Sequence, residues 1–236
     1  MTQFFQGWQH RELAMVLVLG LLSVMLWRAP MIGWIFYPFH LFGTFIHELS
    51  HGLAAILTGG EFRRFRVDYD LSGRAWSAGG IGWIISSAGY VGSALFGGFL
   101  MIITAHAVSA RTVLALLGVA LGVLCLIFVR NWFGIFSGLA IAGLLILAAE
   151  RLNATWAYGL LLFLSVQMML NALDSVFGLV WISSSRADVL TDARNMQLMT
   201  GIPALFWALL WSAISLTVLI IAVSVAFRRN SLYGVQ

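Results

Sequence analysis

Long apolar stretches separated by short polar breaks make up almost the whole chain. The stretches are about 15 to 26 residues long, and a helix of about 20 apolar residues can cross the hydrocarbon core of a bilayer. They cover residues 13–27, 35–58, 79–104, 114–129, 133–149, 156–181 and 203–227. This pattern predicts an all-α polytopic membrane protein with about seven transmembrane helices.

The most polar part of the chain follows the second apolar stretch, at residues 61–78. From Arg64 to Leu71, apolar and charged residues alternate with a period of two, which indicates a β-strand. Ser72-Gly73 favours a turn, and residues 74–77 could form the returning strand. We therefore predict a small β-hairpin-like loop at the membrane surface. A solvated loop is the alternative.

Composition supports the membrane class. The chain is 61% hydrophobic and only 9% charged, whereas soluble domains carry about 25% charged residues. All 13 basic residues are Arg, and the net charge of +4 needs no nucleic-acid partner, because positive charge at helix ends is what membrane topology requires. The single Cys125 excludes an intrachain disulfide. The lipid bilayer is thus the first expected partner.

The second apolar stretch contains the motif H-E-x-x-H, at His47-Glu48-Leu49-Ser50-His51. On a helix, His47 and His51 project from one face about one turn apart, so both imidazoles can bind one Zn²⁺. Glu48 is not needed as a ligand and can act as a general base toward water. The alternative is that both histidines are ordinary core residues, but unpaired polar groups are costly at membrane depth.

A catalytic zinc site needs a third protein ligand and one open position. Asp174 is the best candidate, because it and Glu48 are the only acids well inside apolar stretches and no Lys or Arg lies inside a stretch to pair with it. In the alternative, Asp174 is protonated and hydrogen-bonded to Asn171 or a serine. Asp192, in the polar segment after the sixth stretch, is the rival third ligand.

Arginine distribution predicts which side the site faces. With seven helices, the side shared by the N-terminus and the loop at 59–80 holds eight arginines and the other side holds five. The eight are Arg11, Arg63, Arg64, Arg66, Arg74, Arg130, Arg186 and Arg194, and the five are Arg28, Arg111, Arg151, Arg228 and Arg229. The excess favours the first side as cytoplasmic. Helices two and six then both run inward, which brings His47 and Asp174 to a similar depth.

Taken together, these motifs resemble the site-2 protease (M50) family of intramembrane zinc metalloproteases. The likeness consists of an HExxH helix, a β-like loop, a helix rich in Gly and Ser and a later helix with an Asp. Residues 130–134 (RNWFG), 191–193 (TDA) and 200–207 (TGIPALFW) resemble its M50B-like branch. The chain departs from the family's usual motifs at two positions. Ser93 stands where the family usually has Asn, and Ser175 stands where the family usually has Gly after the Asp.

The resemblance implies zinc held by His47, His51 and an Asp, with Glu48 as the base, in an enzyme that cuts transmembrane segments of partner proteins. Asp174 matches the family's Leu-Asp context only in part, because the usual prolines are missing. We expect one membrane-embedded metalloprotease domain over residues 1–236. Within it, residues 1–30 form an accessory first helix, 31–182 the catalytic core, and 183–236 a polar loop and the last helix. The expected location is a bacterial-type cell membrane, with the active site toward the cytoplasm.

Two other function classes remain open from the sequence. One is a non-proteolytic membrane protein whose zinc is structural or regulatory, which a fourth protein ligand such as His40 would favour. The other is an ion or proton transporter that uses His47, His51 and Asp174 as a path. That class predicts a water-filled route across the whole membrane and weak, exchangeable metal binding.

Overall fold

The structure is a computed structural model that describes residues 10–27, 29, 32–106, 109–186 and 189–227. These residues form eight α-helices and two β-strands. The helices are α1 (His10–Trp27), α2 (Tyr37–Leu57), α3 (Gly82–Ala105), α4 (Ala110–Phe128), α5 (Trp132–Arg151), α6 (Ala154–Ser185), α7 (Asp192–Thr200) and α8 (Ala204–Phe227). The strands are β1 (Glu61–Val67) and β2 (Gly73–Ala78). A short 3₁₀ turn at Gly33–Phe36 leads into α2.

Five of the described helices, α3, α4, α5, α6 and α8, are long and apolar enough to cross a membrane. The chain is therefore an integral, multi-pass membrane protein, as the apolar pattern predicts. The predicted count of seven spans is not confirmed. The apolar part of α1, Ala14–Trp27, is shorter than a full span, and α2 is not among the five. In α2, the polar side chains of the H-E-x-x-H motif interrupt the apolar sequence.

Helix α3 lies at the centre of the bundle and packs against α2, α6 and α8, while α4 pairs with α5. The small residues of α3 let the neighbouring helix backbones approach closely, as expected for helices packed in lipid. Helix α2 lies against α3 on one side and against both strands on another. The motif helix is thus held between the hairpin and the central helix.

The predicted β-hairpin is confirmed. Strands β1 and β2 form a two-stranded antiparallel sheet in which Glu61 is opposite Ala78 and Val67 is opposite Gly73. The first strand begins and ends earlier than the alternating pattern indicates. The turn therefore spans residues 68–72, where the Asp70 carboxylate accepts hydrogen bonds from the backbone N–H and the hydroxyl of Ser72.

The two strands have different outer edges. The outer edge of β1 is covered, since the Phe65 carbonyl accepts a hydrogen bond from the backbone N–H of Arg130. Asn131 adds two more bonds, because its amide donates to the Val67 carbonyl at 2.7 Å and accepts from the Val67 N–H at 3.3 Å. Strand β2 pairs only with β1 among the described residues, so its outer edge has no partner strand.

Several arginines used to predict sidedness, Arg28, Arg228 and Arg229, lie outside the described residues, and so does the segment 1–9. The orientation of the protein in the membrane therefore stays a prediction.

Candidate metal centre

Helix α2 brings the two motif histidines together as the i, i+4 spacing predicts. The Nε2 atoms of His47 and His51 lie 3.1 Å apart. The side chain of His51 is 8% exposed and that of His47 is 18% exposed. Both rings therefore sit in a largely buried position with the same ring nitrogen directed to the same point.

Asp192 completes a group of three potential metal ligands. It is the first residue of α7, which is capped by Thr191, whose hydroxyl accepts a hydrogen bond from the Arg194 N–H. The Asp192 Oδ2 atom lies 3.4 Å from the Nε2 of His47 and 3.3 Å from the Nε2 of His51. The ligand atoms of these three residues all lie within 4.8 Å of one another.

The spacing of the three atoms fits a tetrahedral zinc site. Bond lengths of about 2.0–2.2 Å in tetrahedral geometry put neighbouring ligand atoms about 3.3–3.5 Å apart. The observed separations of 3.1, 3.3 and 3.4 Å are close to this range. Two imidazoles and one carboxylate are also a donor set that catalytic zinc sites use with a fourth, open position. The residues present therefore fit Zn²⁺.

A backbone carbonyl fixes the orientation of His51. Its Nδ1 lies 2.6 Å from the carbonyl oxygen of Ile85, in the first turns of α3. When Nδ1 carries the proton and donates to this carbonyl, Nε2 has a free lone pair for a metal. Such second hydrogen bonds are typical of metal-binding histidines, whose tautomer they set.

Glu48 lies between the histidine pair and the hairpin. It is 4% exposed, and its carboxylate lies so close to Gly73 of β2 that a side chain at Gly73 would overlap it, with a Cβ 2.7 Å from Glu48 Cδ. The hairpin thus reaches the motif at a residue that has no side chain. This arrangement leaves Glu48 beside both the histidines and the free strand edge.

A second glycine allows α3 to approach the histidines. A Cβ at Gly89 would lie 2.5 Å from the Nε2 of His51 and would overlap the ring of His47. Gly89 is buried on α3, one turn after Ile85. The central helix can therefore pack directly on the two imidazoles only because residue 89 has no side chain.

Electrostatics favour an ionised Asp192. Burial by itself would raise the pKa of this carboxyl group. The neighbouring His51 and His47 act in the opposite direction and hold the pKa of Asp192 below its usual range. The carboxylate form is the form that binds a metal.

The group lines a cavity of about 1040 Å³ that extends between α2, β2, α3, α6 and α7. Asp174 and His40 also line this cavity, but neither belongs to the three-residue group. His40 packs against Trp27 with ring centroids 4.4 Å apart, and it lies near Asn171 and within electrostatic range of Asp174. The structure thus brings His47, His51 and Glu48 together with Asp192. Asp174 lies instead in the part of the cavity that His40 lines.

Comparison with protein-family models shows the family of this chain. A model of the Peptidase M50B-like family matches residues 13–222, which is most of the chain. The chain therefore belongs to the M50 peptidase family, in its M50B-like branch. Searches of curated proteins and of solved structures found no match.

Sequence reasoning ranked Asp174 above Asp192 because Asp174 lies inside an apolar stretch. That signal measures the cost of burying a charge, and Asp174 is in fact exposed to the cavity. The sequence signals for Asp192 are weaker: its segment 191–193 resembles the M50B-like branch, and the local pattern is that of a helix start. Thr191 and Asp192 read as the cap and first turn of a helix, and only tertiary folding brings that turn to α2.

Proposed function

We propose that this protein is an intramembrane zinc metalloprotease that hydrolyses peptide bonds in or near transmembrane segments of other membrane proteins. One observation carries the proposal: three metal-binding side chains with tetrahedral spacing lie beside a buried glutamate, in a cavity inside a multi-pass member of a peptidase family. His47, His51 and Asp192 are the proposed ligands of one Zn²⁺. Asp192 takes the role that the sequence suggested for Asp174.

The proposed chemistry assigns each residue one task. When bound, Zn²⁺ would polarise the scissile carbonyl and acidify water. Glu48 accepts the proton of the attacking water and then delivers it to the leaving amine. Its burial beside the ligands suits this role, because a carboxylate in that position lies next to the reacting atoms. The Ile85 carbonyl keeps the His51 ring in the orientation that binding requires.

The hairpin supports a way to hold the substrate. The outer edge of β2 has no partner strand in the described chain, and β2 residues Gly73, Arg74, Ala75 and Ser77 line the cavity. We propose that an unwound substrate segment adds to this edge as a third strand. Unwinding is needed because a helix hides its carbonyl groups from attack. Gly73 contacts Glu48, so a segment paired with β2 passes next to the base.

The other function classes have less support. In the described residues, His40 does not join the three ligands, so the fourth protein ligand that would favour a structural zinc site is missing there. A transport role needs a polar route across the whole membrane.

We also propose that the site faces the cytoplasmic side of a bacterial-type membrane. The arginine distribution alone supports this orientation.

Glu48→Gln tests the proposed reaction. We expect cleavage to fall by about 10²- to 10⁴-fold, because glutamine cannot accept the proton. Zinc content should be unchanged, since Glu48 is not a ligand. The measurement uses the full-length protein in liposomes with a panel of transmembrane peptides, cleavage products being identified by mass spectrometry. Full activity in Glu48→Gln would contradict the base assignment, and a loss of zinc would show that Glu48 supports the metal instead.

A further inference from the structure

Tyr90 on α3 is an aromatic residue with a hydroxyl group that lies next to the candidate metal ligands. Its ring meets the His47 ring edge to face, with centroids 4.7 Å apart. Tyr90 follows Gly89 in the chain, so the same close approach of α3 that Gly89 permits also brings Tyr90 to the ligands. It lines the cavity that contains the metal ligands and Glu48.

The ring of Tyr90 is held on its other face by Trp211 of α8. The two rings stack with centroids 5.5 Å apart and an angle of 17° between their planes. Trp211 is itself 1% exposed, and its indole N–H donates to the Ser87 hydroxyl at 3.1 Å. Tyr90 is therefore wedged between a metal ligand and a buried indole, which leaves its ring little freedom to rotate away.

The hydroxyl group of Tyr90 is available to donate a hydrogen bond. Among the described residues this hydroxyl makes no hydrogen bond and is not fully buried, and Tyr90 lines the cavity. It lies in electrostatic range of both Glu48 and Asp192. Ser93, another hydroxyl-bearing residue that lines the cavity, donates to the Gly89 carbonyl at 2.7 Å.

Peptide hydrolysis creates a need for such a donor. When water attacks, negative charge develops on the carbonyl oxygen of the substrate, and a fixed donor aimed at this oxygen stabilises the transition state more than the ground state. Resting on the function proposed above, we infer that the Tyr90 hydroxyl donates a hydrogen bond to the oxyanion of the scissile carbonyl. Tyr90 is then a further catalytic residue, and the stack on Trp211 sets its position in advance.

Tyr90→Phe is the direct test, since phenylalanine keeps the ring and its packing on His47 and Trp211. We expect kcat to fall by about 10²-fold with little change in KM and no change in zinc content. Ser93→Ala is the comparison variant, because its hydroxyl is committed to Gly89. Tyr158→Phe, on α6 and outside the cavity, is the matched control. A full kcat in Tyr90→Phe, or a larger loss in Ser93→Ala, would overturn the assignment.

A binding measurement separates this inference from the proposed function. A peptidyl phosphinate presents tetrahedral oxygens to the site, whereas ethanethiol binds zinc alone. Tyr90→Phe should weaken phosphinate binding about tenfold or more and leave thiol binding unchanged. Equal weakening of both probes, or of neither, would contradict the role of Tyr90. If wild-type protein binds zinc and both probes but cleaves no peptide, the protease proposal fails. The effect of Tyr90→Phe on phosphinate binding still tests whether the Tyr90 hydroxyl donates to a tetrahedral oxygen.

Discussion

The two ends of the cavity have similar residue types but different geometry. At one end, His47, His51 and Asp192 place their ligand atoms 3.1 to 3.4 Å apart. At the other end, His40 and Asp174 interact electrostatically, and the side-chain amide of Asn171 donates a hydrogen bond to the Phe39 carbonyl at 2.9 Å. Histidine and aspartate at membrane depth therefore do not by themselves define a metal site. Convergence of the ligand atoms is what distinguishes the candidate metal site.

The contrast also explains how Asp174 is tolerated. A charge inside the hydrocarbon region is costly when it faces lipid, and this cost is relieved where the side chain faces a water-filled space. Asp174 lines the cavity, where water can solvate it. Asp192 is solvated less, since its side chain is 21% exposed, and two imidazoles face it instead. Asp174 is thus open to the cavity, whereas Asp192 faces two imidazoles.

The largest expected effect comes from comparing the two aspartates directly. Asp192→Ala should reduce zinc affinity about a hundredfold or more and abolish cleavage, because a third of the ligand set is lost. Asp174→Ala should keep one zinc per chain. Metal content and competition with a chromogenic chelator, on full-length protein in detergent, measure both. Zinc lost in Asp174→Ala but retained in Asp192→Ala would reverse the assignment.

Gly89→Ala should have the next largest effect, at the metal end alone. A methyl group there would meet the His47 and His51 rings, so either the rings or α3 must move. We expect zinc affinity to fall about 10- to 100-fold, as for other changes that misorient ligands. Gly143→Ala in α5 is the matched control, because its Cβ would meet nothing within 4 Å. Equal zinc affinity in the two variants would mean that α3 does not press on the histidines.

The same contrast shows what the sequence could reveal. The apolar helices, the hairpin and the His47, Glu48 and His51 cluster follow from local patterns: apolar length, alternation and the i, i+4 spacing. The short polar helix α7 does not, because the segment that contains it is predicted as a polar loop. The position of the proposed third ligand, Asp192, depends on how the chain returns after α6, and no local pattern encodes the contact between the first turn of α7 and α2. The sequence shows Gly73 only as a turn residue and Gly89 only as a small residue. Their importance is steric and requires the neighbouring side chains, Glu48 and the histidine pair, to be in place.

The smallest expected effect concerns the outer edge of the hairpin, where we propose that the substrate binds. Asn131→Ala removes the two hydrogen bonds that tie Val67 of β1 to the start of α5, each worth about 1 kcal/mol. Loosening β1 should disturb β2, and we expect KM to rise a few-fold while kcat and zinc content stay nearly constant. Asn153→Ala is the control, since Asn153 caps α6 away from the hairpin. Faster amide hydrogen exchange in residues 61–78 of Asn131→Ala, and not of Asn153→Ala, would connect the change in KM to the strand edge. An unchanged KM despite faster exchange would mean that the substrate does not use this edge.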